Sequence, residues 1–210
     1  MTDLLIDNGA LGKLAWDKQN GLLPAIVQDA STLRVLMLGY MNREALSATL
    51  ATRRATFYSR SRKCLWTKGE TSGNALDVVG VAADCDRDTV LVLAHPRGPA
   101  CHLGTPSCFA AHAPSSMIGE LDEVVATRGR ERPAGSYTTR LFESGIARIA
   151  QKIGEEGVEV ALAAVVADDT ALLGEAADLV YHLSVLLRVR GLSMRDVEAI
   201  LKRRHAASGE

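Results

Sequence analysis

The sequence is poor in aromatic residues and has no excess of charge of either sign. Phe, Trp and Tyr make up 4% of the 210 residues, and 24 Lys and Arg stand against 25 Asp and Glu, which gives a formal net charge of −1. Few rings are left to stack on bases, and a balanced charge gives no general attraction to nucleic acid or to an anionic membrane. We therefore expect neither nucleic acid nor membrane as a partner.

Long apolar runs and a secretion signal are also missing. No run approaches the length needed to span a bilayer, and residues 1–3 lack the basic start of a signal peptide. Both absences favour a cytoplasmic protein. In that reducing compartment we expect the four cysteines to be metal ligands or buried thiols and not disulfides.

What the sequence does contain is a concentrated group of acids and thiols between residues 84 and 109. D-C-D-R-D occupies 84–88, and A-C-H-L-G-T-P-S-C-F occupies 100–109. If residues 84–88 are extended, alternation places the three aspartates on one face and Cys85 on the other. Hard oxygen ligands on one side and a soft thiolate on the other predict two different metal sites.

The cysteines of this segment do not have the Cys-x-x-Cys spacing of zinc ribbons or fingers. Cys85, Cys101 and Cys108 have no evident fourth partner, and an open coordination position for water is typical of catalytic zinc. Zinc lowers the pKa of that water and supplies a hydroxide nucleophile. His102, beside Cys101, is a candidate for proton transfer or, alternatively, for serving the acidic site. The alternative is three buried structural thiols, which the adjoining acids make the weaker interpretation.

The three aspartates of 84–88 have an alternative of their own. Asp84, Asp86 and Asp88 resemble the start of an EF-hand loop, but the glycine and the distal glutamate of that motif are missing. A lone D-x-D-x-D is otherwise most often a solvated turn.

Residues 59–74 combine cations, hydroxyls and glycines, which suits the binding of phosphate by Arg donors and closely approaching backbone amides. The alternative is a solvated charged face. Trp66 is a candidate to stack on a base, although a core position is commoner for a lone Trp, and Cys64 is expected to be a non-ligand thiol. The candidate substrate-binding residues here are Ser59, Arg60, Arg62, Trp66, Lys68, Gly69 and Ser72.

Periodicity divides the chain into two domains of different class. The first is predicted to be α+β and mostly β, over 1–112, and the second an all-α helical bundle over 119–210, joined by a linker at 113–118. Strands are predicted at 22–27, 33–40, 56–59, 75–83 and 89–94, with a helix at 43–52 capped by Asn42, and further helices at 117–127, 141–167 with a break near Gly145, 171–190 and 193–205.

Two acidic patterns in the second half have helical spacing. E-E-x-x-E occupies 155–159 and E-x-x-D occupies 175–178, so each pattern projects its carboxylates from one helix face bordered by apolar residues. Such acids are costly unless they are paired or bind metal. Two such helices face to face predict a Mg²⁺ cluster for pyrophosphate chemistry; ordinary amphipathic charge is the alternative. The candidates are Glu155, Glu156, Glu159, Glu175 and Asp178 for metal, with Lys152, Arg140 and Arg148 for substrate phosphates.

These segments together resemble two known enzyme families. L-M-L-G-Y-M-N, F-Y-S-R-S-R, L-W-T-K-G-E-T-S-G-N, D-C-D-R-D and A-C-H-x-G-x-x-S-C-F closely resemble phosphoribosyl-AMP cyclohydrolase. K-I-G-E-E-G-V-E-V with E-A-A-D-L-V-Y-H-L resembles phosphoribosyl-ATP pyrophosphohydrolase. Nearly the whole chain is similar to the fused bifunctional enzyme of histidine biosynthesis.

The resemblance implies a set of metals and an assembly. It implies Zn²⁺ on Cys85, Cys101 and Cys108 and Mg²⁺ on the three aspartates, in a homodimer whose zinc ligands come from both subunits. Glu156, Glu159, Glu175 and Asp178 match the metal ligands of the pyrophosphohydrolase, with Glu155 near them. The expected substrates are small nucleotides: phosphoribosyl-ATP loses pyrophosphate, and zinc-bound hydroxide then attacks C6 of phosphoribosyl-AMP and opens its purine ring. The H-x-E and P-C-x-x-C signature of zinc deaminases is absent, which argues against loss of the amine.

Two other functions are compatible with the residues. A zinc-stabilised β module tethered to a helical dimerisation bundle would need no catalysis and would unfold without metal. Alternatively, the helical half would be a general nucleotide pyrophosphatase acting on ordinary NTPs.

Overall fold

The computed structural model describes residues 11–109 and 113–207. It divides into two compact units, 1–116 and 117–210, so that the division falls within the predicted linker at 113–118. Residues 1–3, used above to argue against a secretion signal, lie outside the described residues. Each unit is described by itself.

The first unit is built on a four-stranded mixed sheet with the order β2-β1-β6-β5. β1 pairs antiparallel with β2 and parallel with β6, and β6 pairs antiparallel with β5. A separate antiparallel hairpin joins β3 and β4. The strands are β1 Leu23–Asp29, β2 Val35–Met41, β3 Thr56–Ser59, β4 Cys64–Thr67, β5 Leu76–Ala83 and β6 Val90–Pro96.

Strict alternation of burial shows that one face of β1 packs on the core. Every second residue of β1, from Leu23 to Asp29, is buried, as a strand with one core-facing side requires. Helix α1 (Arg43–Thr52) begins where the Asn42 side chain accepts a hydrogen bond from the Ala45 amide at 2.8 Å. It packs on the hairpin, whose Phe57 is fully buried.

Most predicted elements of this unit are confirmed, but the extended conformation considered for residues 84–88 is not found, and one strand was not predicted. Residues 84–88 form a turn between β5 and β6 and not an extended segment, with Arg87 in the left-handed region at φ 62°. Residues 64–67, read only as part of a phosphate-binding segment, form strand β4. Two short 3₁₀ turns, Leu11–Lys13 and Trp16–Gln19, were also not predicted.

The second unit consists of helices, as predicted. They are α2 Met117–Glu131, α3 Tyr137–Val166, α4 Asp169–Val189 and α5 Met194–Ala207. The predicted break in α3 is confirmed, since Gly145 has φ 81° and ψ 166°, which are not helical values. The Asp168 side chain caps α4 by accepting from the Ala171 amide at 2.9 Å.

A small core and an ion pair between Asp122 and Arg188 hold the helices together. Val125, Leu141, Ile149 and Val185 form the buried apolar cluster. Asp122 on α2, 5% exposed, accepts hydrogen bonds from the Arg188 guanidinium and the Ser184 hydroxyl on α4.

Helix α4 is long and apolar enough, by length and composition alone, to meet the usual criterion for a membrane span. This differs from the expectation that no apolar run reaches that length. The criterion is weak evidence, because core helices of soluble proteins also meet it. Glu175, Asp178 and His182 lie within α4, and the first two are candidate ligands of a polar site.

Candidate active sites

The turn at 84–88 brings its three acids together although it is not extended. One carboxylate oxygen each of Asp84, Asp86 and Asp88 lie within 4.8 Å of one another. Asp84 Oδ1 also accepts hydrogen bonds from the Asp88 amide at 3.0 Å and the Thr89 amide at 3.1 Å. The tight turn, and not strand alternation, therefore produces the carboxylate cluster.

Lys18 is a residue of this cluster that the sequence did not reveal. Its Nζ lies 2.5 Å from Asp86 Oδ2 and 3.2 Å from Asp88 Oδ2. The hydrogen bond to Asp86 raises the pKa of Lys18 and lowers the pKa of Asp86. An isolated lysine 66 or more residues away carries no local signal for such a contact; no motif around Lys18 could have indicated it.

Cys101 and Cys108 form a thiol pair. The Leu103 amide donates to Cys101 Sγ at 3.5 Å, and this hydrogen bond is the main cause that lowers the pKa of Cys101. Partial desolvation of the sulfur, followed by the neighbouring Cys101 thiol, raises the pKa of Cys108. Opposite shifts in two adjacent thiols favour a state in which Cys101 is the first to ionise.

The segment 100–108 is held in place by the edge of β2. The Cys108 amide donates to the Leu36 carbonyl at 2.7 Å, and the Ser107 hydroxyl donates to the Val35 carbonyl at 2.7 Å. Cys85 is not brought to this pair: among the described residues, no group of three candidate ligand atoms within 4.8 Å of one another includes it. Cys85 is exposed.

His102 lies beside the thiol pair and is exposed. Its Nδ1 is 4.0 Å from Cys101 Sγ. The imidazole can therefore reach a molecule held at the thiols.

An open cleft of about 450 Å³ collects six of the seven predicted substrate-binding residues of the first unit. Lys68 lies near the thiol pair, because its charge acts on both sulfurs: it contributes to the lowered pKa of Cys101 and partly offsets the raised pKa of Cys108. The cleft thus offers hydroxyls and cations close to the thiol pair. The six residues are Ser59, Arg62, Trp66, Lys68, Gly69 and Ser72.

Trp66 and Gly69 shape this cleft. Trp66 stacks on Phe57 with ring centroids 4.9 Å apart, so it packs on the core with one side and lines the cleft with the other. Gly69 has φ +83°, and a Cβ there would lie 2.5 Å from the backbone of residues 74 and 75. The glycine is required by this close backbone approach.

The seventh residue, Arg60, lies elsewhere. Its guanidinium stands 3.9 Å from the centroid of the Tyr40 ring, in a second open cleft of about 680 Å³ that Lys18 and Asp88 also line. This cleft adjoins the three aspartates.

In the second unit, α3 and α4 bring the predicted acids together. Ligand oxygens of Glu156, Glu175 and Asp178 lie within 4.8 Å of one another. Glu159 is exposed beside them; desolvation and then the Glu156 carboxylate raise its pKa. This is the arrangement predicted for a cation held between two acidic helices.

Glu155 differs from the other acids of this domain because its carboxylate is paired with two cations, Arg148 and Lys152. Its carboxylate accepts hydrogen bonds from Arg148 at 3.3 Å, Gln151 at 2.9 Å and Lys152 at 2.9 Å. Lys152 also lies 2.8 Å from Glu156, and its hydrogen bond is the main cause that lowers the pKa of Glu156. Both candidate cation sites therefore hold a lysine ammonium against their carboxylates.

His182 and Tyr137 support Glu156 and were not predicted. His182 Nδ1 lies 2.9 Å from the Asp178 carbonyl and 3.5 Å from Glu156 Oε1, so Nδ1 donates to the carbonyl. Its Nε2 is hydrogen-bonded to the Tyr137 hydroxyl at 3.2 Å. A histidine four residues after Asp178 on the same helix was the available signal.

Comparison with known proteins decides what these two sites belong to. The family model described as phosphoribosyl-AMP cyclohydrolase matches residues 37–110, and the one described as phosphoribosyl-ATP pyrophosphohydrolase matches residues 118–205. The protein named histidine biosynthesis bifunctional protein HisIE of Xanthomonas axonopodis pv. citri is 64% identical over 93% of this chain and 94% of its own length. The chain belongs to the family of bifunctional HisIE proteins.

Other members are similarly close over their full lengths. The HisIE proteins of Xylella fastidiosa strain Temecula1 and Escherichia coli K12 are 64% and 54% identical, each over at least 92% of this chain and 95% of its own length. The first unit is therefore the cyclohydrolase domain and the second the pyrophosphohydrolase domain.

The enzymatic prediction is confirmed: the chain is a phosphoribosyl-ATP pyrophosphohydrolase and a phosphoribosyl-AMP cyclohydrolase of histidine biosynthesis. The alternative of a non-catalytic, zinc-stabilised β module tethered to a helical dimerisation bundle is wrong, because both halves match enzyme families.

Proposed function

We propose that the cyclohydrolase domain binds Zn²⁺ through Cys85, Cys101 and Cys108, with the three thiols contributed by two subunits of a homodimer. The adjacent Cys101 and Cys108, one with a lowered pKa, suit a cation that prefers thiolates. Cys85, on the turn of the acids, is exposed and therefore open to a partner's thiols.

The exposed apolar surface of the helical domain also supports a homodimer. Val158, Leu162, Val165 and Val166 recur at helical spacing along α3, and all four are more than half exposed. Leu173 on α4 adds to them with 69% exposure. A contiguous apolar surface of this kind is usually covered by a partner, and a second copy of this chain is the partner we propose.

We further propose Mg²⁺ at both carboxylate clusters. Each offers three oxygens in a small volume; five of the six residues are exposed or half-buried, where a hydrated cation can reach them, and Glu156 is buried. In the cyclohydrolase domain the ligands would be Asp84, Asp86 and Asp88. In the pyrophosphohydrolase domain they would be Glu156, Glu159, Glu175 and Asp178, with Glu155 completing the acidic face.

The position of the cleft beside the thiol pair supports a mechanism for ring opening. When bound, Zn²⁺ supplies a Lewis acid that makes water nucleophilic near neutral pH. Arg62, Lys68 and Ser72 hold substrate phosphate, and the free face of Trp66 contacts the purine. Water adds at C6, the N1–C6 bond breaks, and N1 takes up a proton, for which exposed His102 is the proposed carrier.

The helical domain breaks the α–β phosphoanhydride of phosphoribosyl-ATP. Magnesium, when bound, neutralises phosphate charge and polarises the water that attacks the α-phosphorus. Lys152 and Arg148, now on Glu155, lie where they can bind the departing pyrophosphate. The convergence of Glu156, Glu175 and Asp178 is the observation that carries this assignment.

We expect the enzyme to act as a soluble cytoplasmic protein on small nucleotides, without nucleic acid or membrane partners. The balanced charge and the polar site within α4 support this.

Single substitutions should separate the two steps. Cys101→Ser should lower ring opening by at least about a hundredfold while pyrophosphate release continues, because it removes a zinc ligand. Glu175→Gln should lower pyrophosphate release from phosphoribosyl-ATP to a similar degree and spare turnover of supplied phosphoribosyl-AMP. Mass spectrometry of the products from each substrate measures both steps.

Matched controls exist in each domain. Cys64→Ser removes an exposed thiol of β4, and Glu143→Gln removes an exposed carboxylate of α3 away from the acidic cluster. Both should retain both activities. Intact ring opening in Cys101→Ser, or intact pyrophosphate release in Glu175→Gln, would contradict the corresponding assignment.

A further inference from the structure

The position of Lys18 is set by the backbone and not by its side chain alone. The Ala15 amide donates to the Arg87 carbonyl at 2.8 Å, which ties the second 3₁₀ turn to the turn of the acids. Trp16 anchors the same turn, since it is 3% exposed and its indole N–H donates to the Leu11 carbonyl at 2.9 Å. The anchored backbone of the second 3₁₀ turn therefore places Lys18 beside Asp86 and Asp88.

The ammonium of Lys18 occupies two of the carboxylates that a cation would use. It contacts Oδ2 of Asp86 and Oδ2 of Asp88, two of the three clustered carboxylates. A divalent cation on those carboxylates would face a like charge at hydrogen-bonding distance, so the two cannot share the site without repulsion. The Lys18 side chain is 48% exposed and long enough to move away without displacing its backbone.

The space next to Lys18 suits an anion. The cleft of about 680 Å³ that Lys18 and Asp88 line also contains Arg60, stacked on Tyr40. An ammonium that leaves the aspartates would join this guanidinium, and two cations in one open cleft bind phosphate.

We propose that Lys18 exchanges between two partners: it is the internal counterion of Asp86 and Asp88 before the metal binds, and it becomes a phosphate ligand beside Arg60 once a divalent cation has displaced it. The inference rests on the proposed magnesium site of the cyclohydrolase domain. By linkage, metal and phosphate then bind with positive coupling, each favouring the other. Lys18 would thus be a further phosphate-binding residue. It lies beside the proposed metal site, in the cleft of Arg60 and not in the cleft of Arg62 and Lys68.

The test measures Mn²⁺ binding by the EPR signal of the free ion. It uses the full-length, zinc-replete chain with Glu156→Gln and Glu175→Gln, so that the aspartates are the remaining carboxylate cluster under study. Lys18→Gln should bind Mn²⁺ about fivefold more tightly than this parent, because the competing ammonium is gone. Lys13→Gln is the matched control: it removes the same charge from the first 3₁₀ turn, and Lys13 forms no ion pair with the aspartates in the described part of the chain.

The second measurement is AMP binding with and without saturating Mn²⁺. Manganese should strengthen AMP binding in the parent, and Lys18→Gln should lose most of this gain, about tenfold in affinity. Equal Mn²⁺ affinities of the Lys18→Gln and Lys13→Gln proteins would overturn the counterion role. A manganese-dependent gain in AMP binding as large in Lys18→Gln as in the parent would overturn the phosphate role.

The failure of the proposed metal site has a different signature. In that case the parent, Lys18→Gln and an added Asp86→Asn variant would all bind Mn²⁺ equally weakly. This result would overturn both the metal site and the exchange of Lys18. A difference between the parent and Asp86→Asn with no effect of Lys18 would overturn the exchange alone.

Discussion

At the scale of single residues, charges that are close together in space are often far apart in the chain. Lys18 meets Asp86, and Asp122 meets Arg188, each across more than 60 residues. Neither contact could be predicted, because isolated charged residues have no periodic or local pattern. The clustered acids, thiols and cations of 59–108 and 155–178 could be predicted, because several suitable residue types recur there at short spacing.

The buried pair of Asp122 and Arg188 gives a stability prediction. Asp122→Ala leaves the Arg188 guanidinium without its carboxylate and removes the partner of Ser184. Because Arg188 keeps some access to water, with 28% side-chain exposure, the free energy of unfolding of the helical domain should fall by about 2 to 3 kcal/mol. Urea unfolding followed by circular dichroism measures it.

The control for this change lies on the same helix. Glu123→Ala alters a neighbouring, half-buried carboxylate of α2 and should change the free energy of unfolding by less than about 0.5 kcal/mol. Equal effects of the two substitutions would show that the ion pair with Arg188 does not stabilise the domain.

At the scale of elements, periodicity predicted the strands and helices whose burial is regular, but it did not identify the turn at 84–88. The buried and half-buried residues of β1 and the apolar spacing of α2 and α4 give the elements directly. For residues 84–88, alternation of D-x-D-x-D is compatible with a strand as well as with a turn, and the structure has the turn, with Arg87 in the left-handed region. β4 was missed because its cations and hydroxyls indicated binding, although Cys64 to Thr67 pair with β3.

Gly145 within α3 gives a prediction at this scale. Its φ of 81° and ψ of 166° lie in a region that is nearly restricted to glycine, and a Cβ there would meet no atom within 4 Å. Gly145→Ala should therefore cost about 1 to 3 kcal/mol of unfolding free energy through backbone strain and not through a clash. Straightening the helix would not remove this strain without cost, because Leu141 and Ile149, on either side of residue 145, are both packed in the core.

Gly154→Ala provides the comparison, because Gly154 lies in the same helix at helical dihedral angles and its Cβ would also be unobstructed. This change should raise the unfolding free energy by about 0.5 to 1 kcal/mol. Urea unfolding of both variants measures the difference, and a Gly145→Ala protein as stable as Gly154→Ala would contradict the strain at the break.

At the scale of the whole molecule, each domain has a feature that a partner subunit would complete or cover. Cys85 stands apart from the thiol pair, and Val158, Leu162, Val165 and Val166 expose an apolar stripe. A sequence cannot distinguish a thiol that completes its own subunit's site from one that completes a partner's, because spacing along the chain is the same in both cases. The residue pattern therefore named the ligands of the proposed zinc site, whereas their division between two subunits came from the family resemblance alone.

Mixing two inactive variants tests the shared site. Cys85→Ser and Cys101→Ser should each lose ring opening in a homodimer. In a mixed dimer, one of the two sites would combine the intact Cys85 of one subunit with the intact Cys101 and Cys108 of the other. After subunit exchange at equal concentrations, half of the dimers would be mixed, so ring opening should recover to about one quarter of the wild-type rate per subunit. The rate is measured with phosphoribosyl-AMP, and native mass spectrometry of the isotopically labelled variants verifies the exchange.

Mixing Cys101→Ser with Cys108→Ser is the control, because their defects fall on the same side of the site and every site then lacks a ligand. Verified mixed dimers of Cys85→Ser and Cys101→Ser without ring opening would place all three thiols in one subunit.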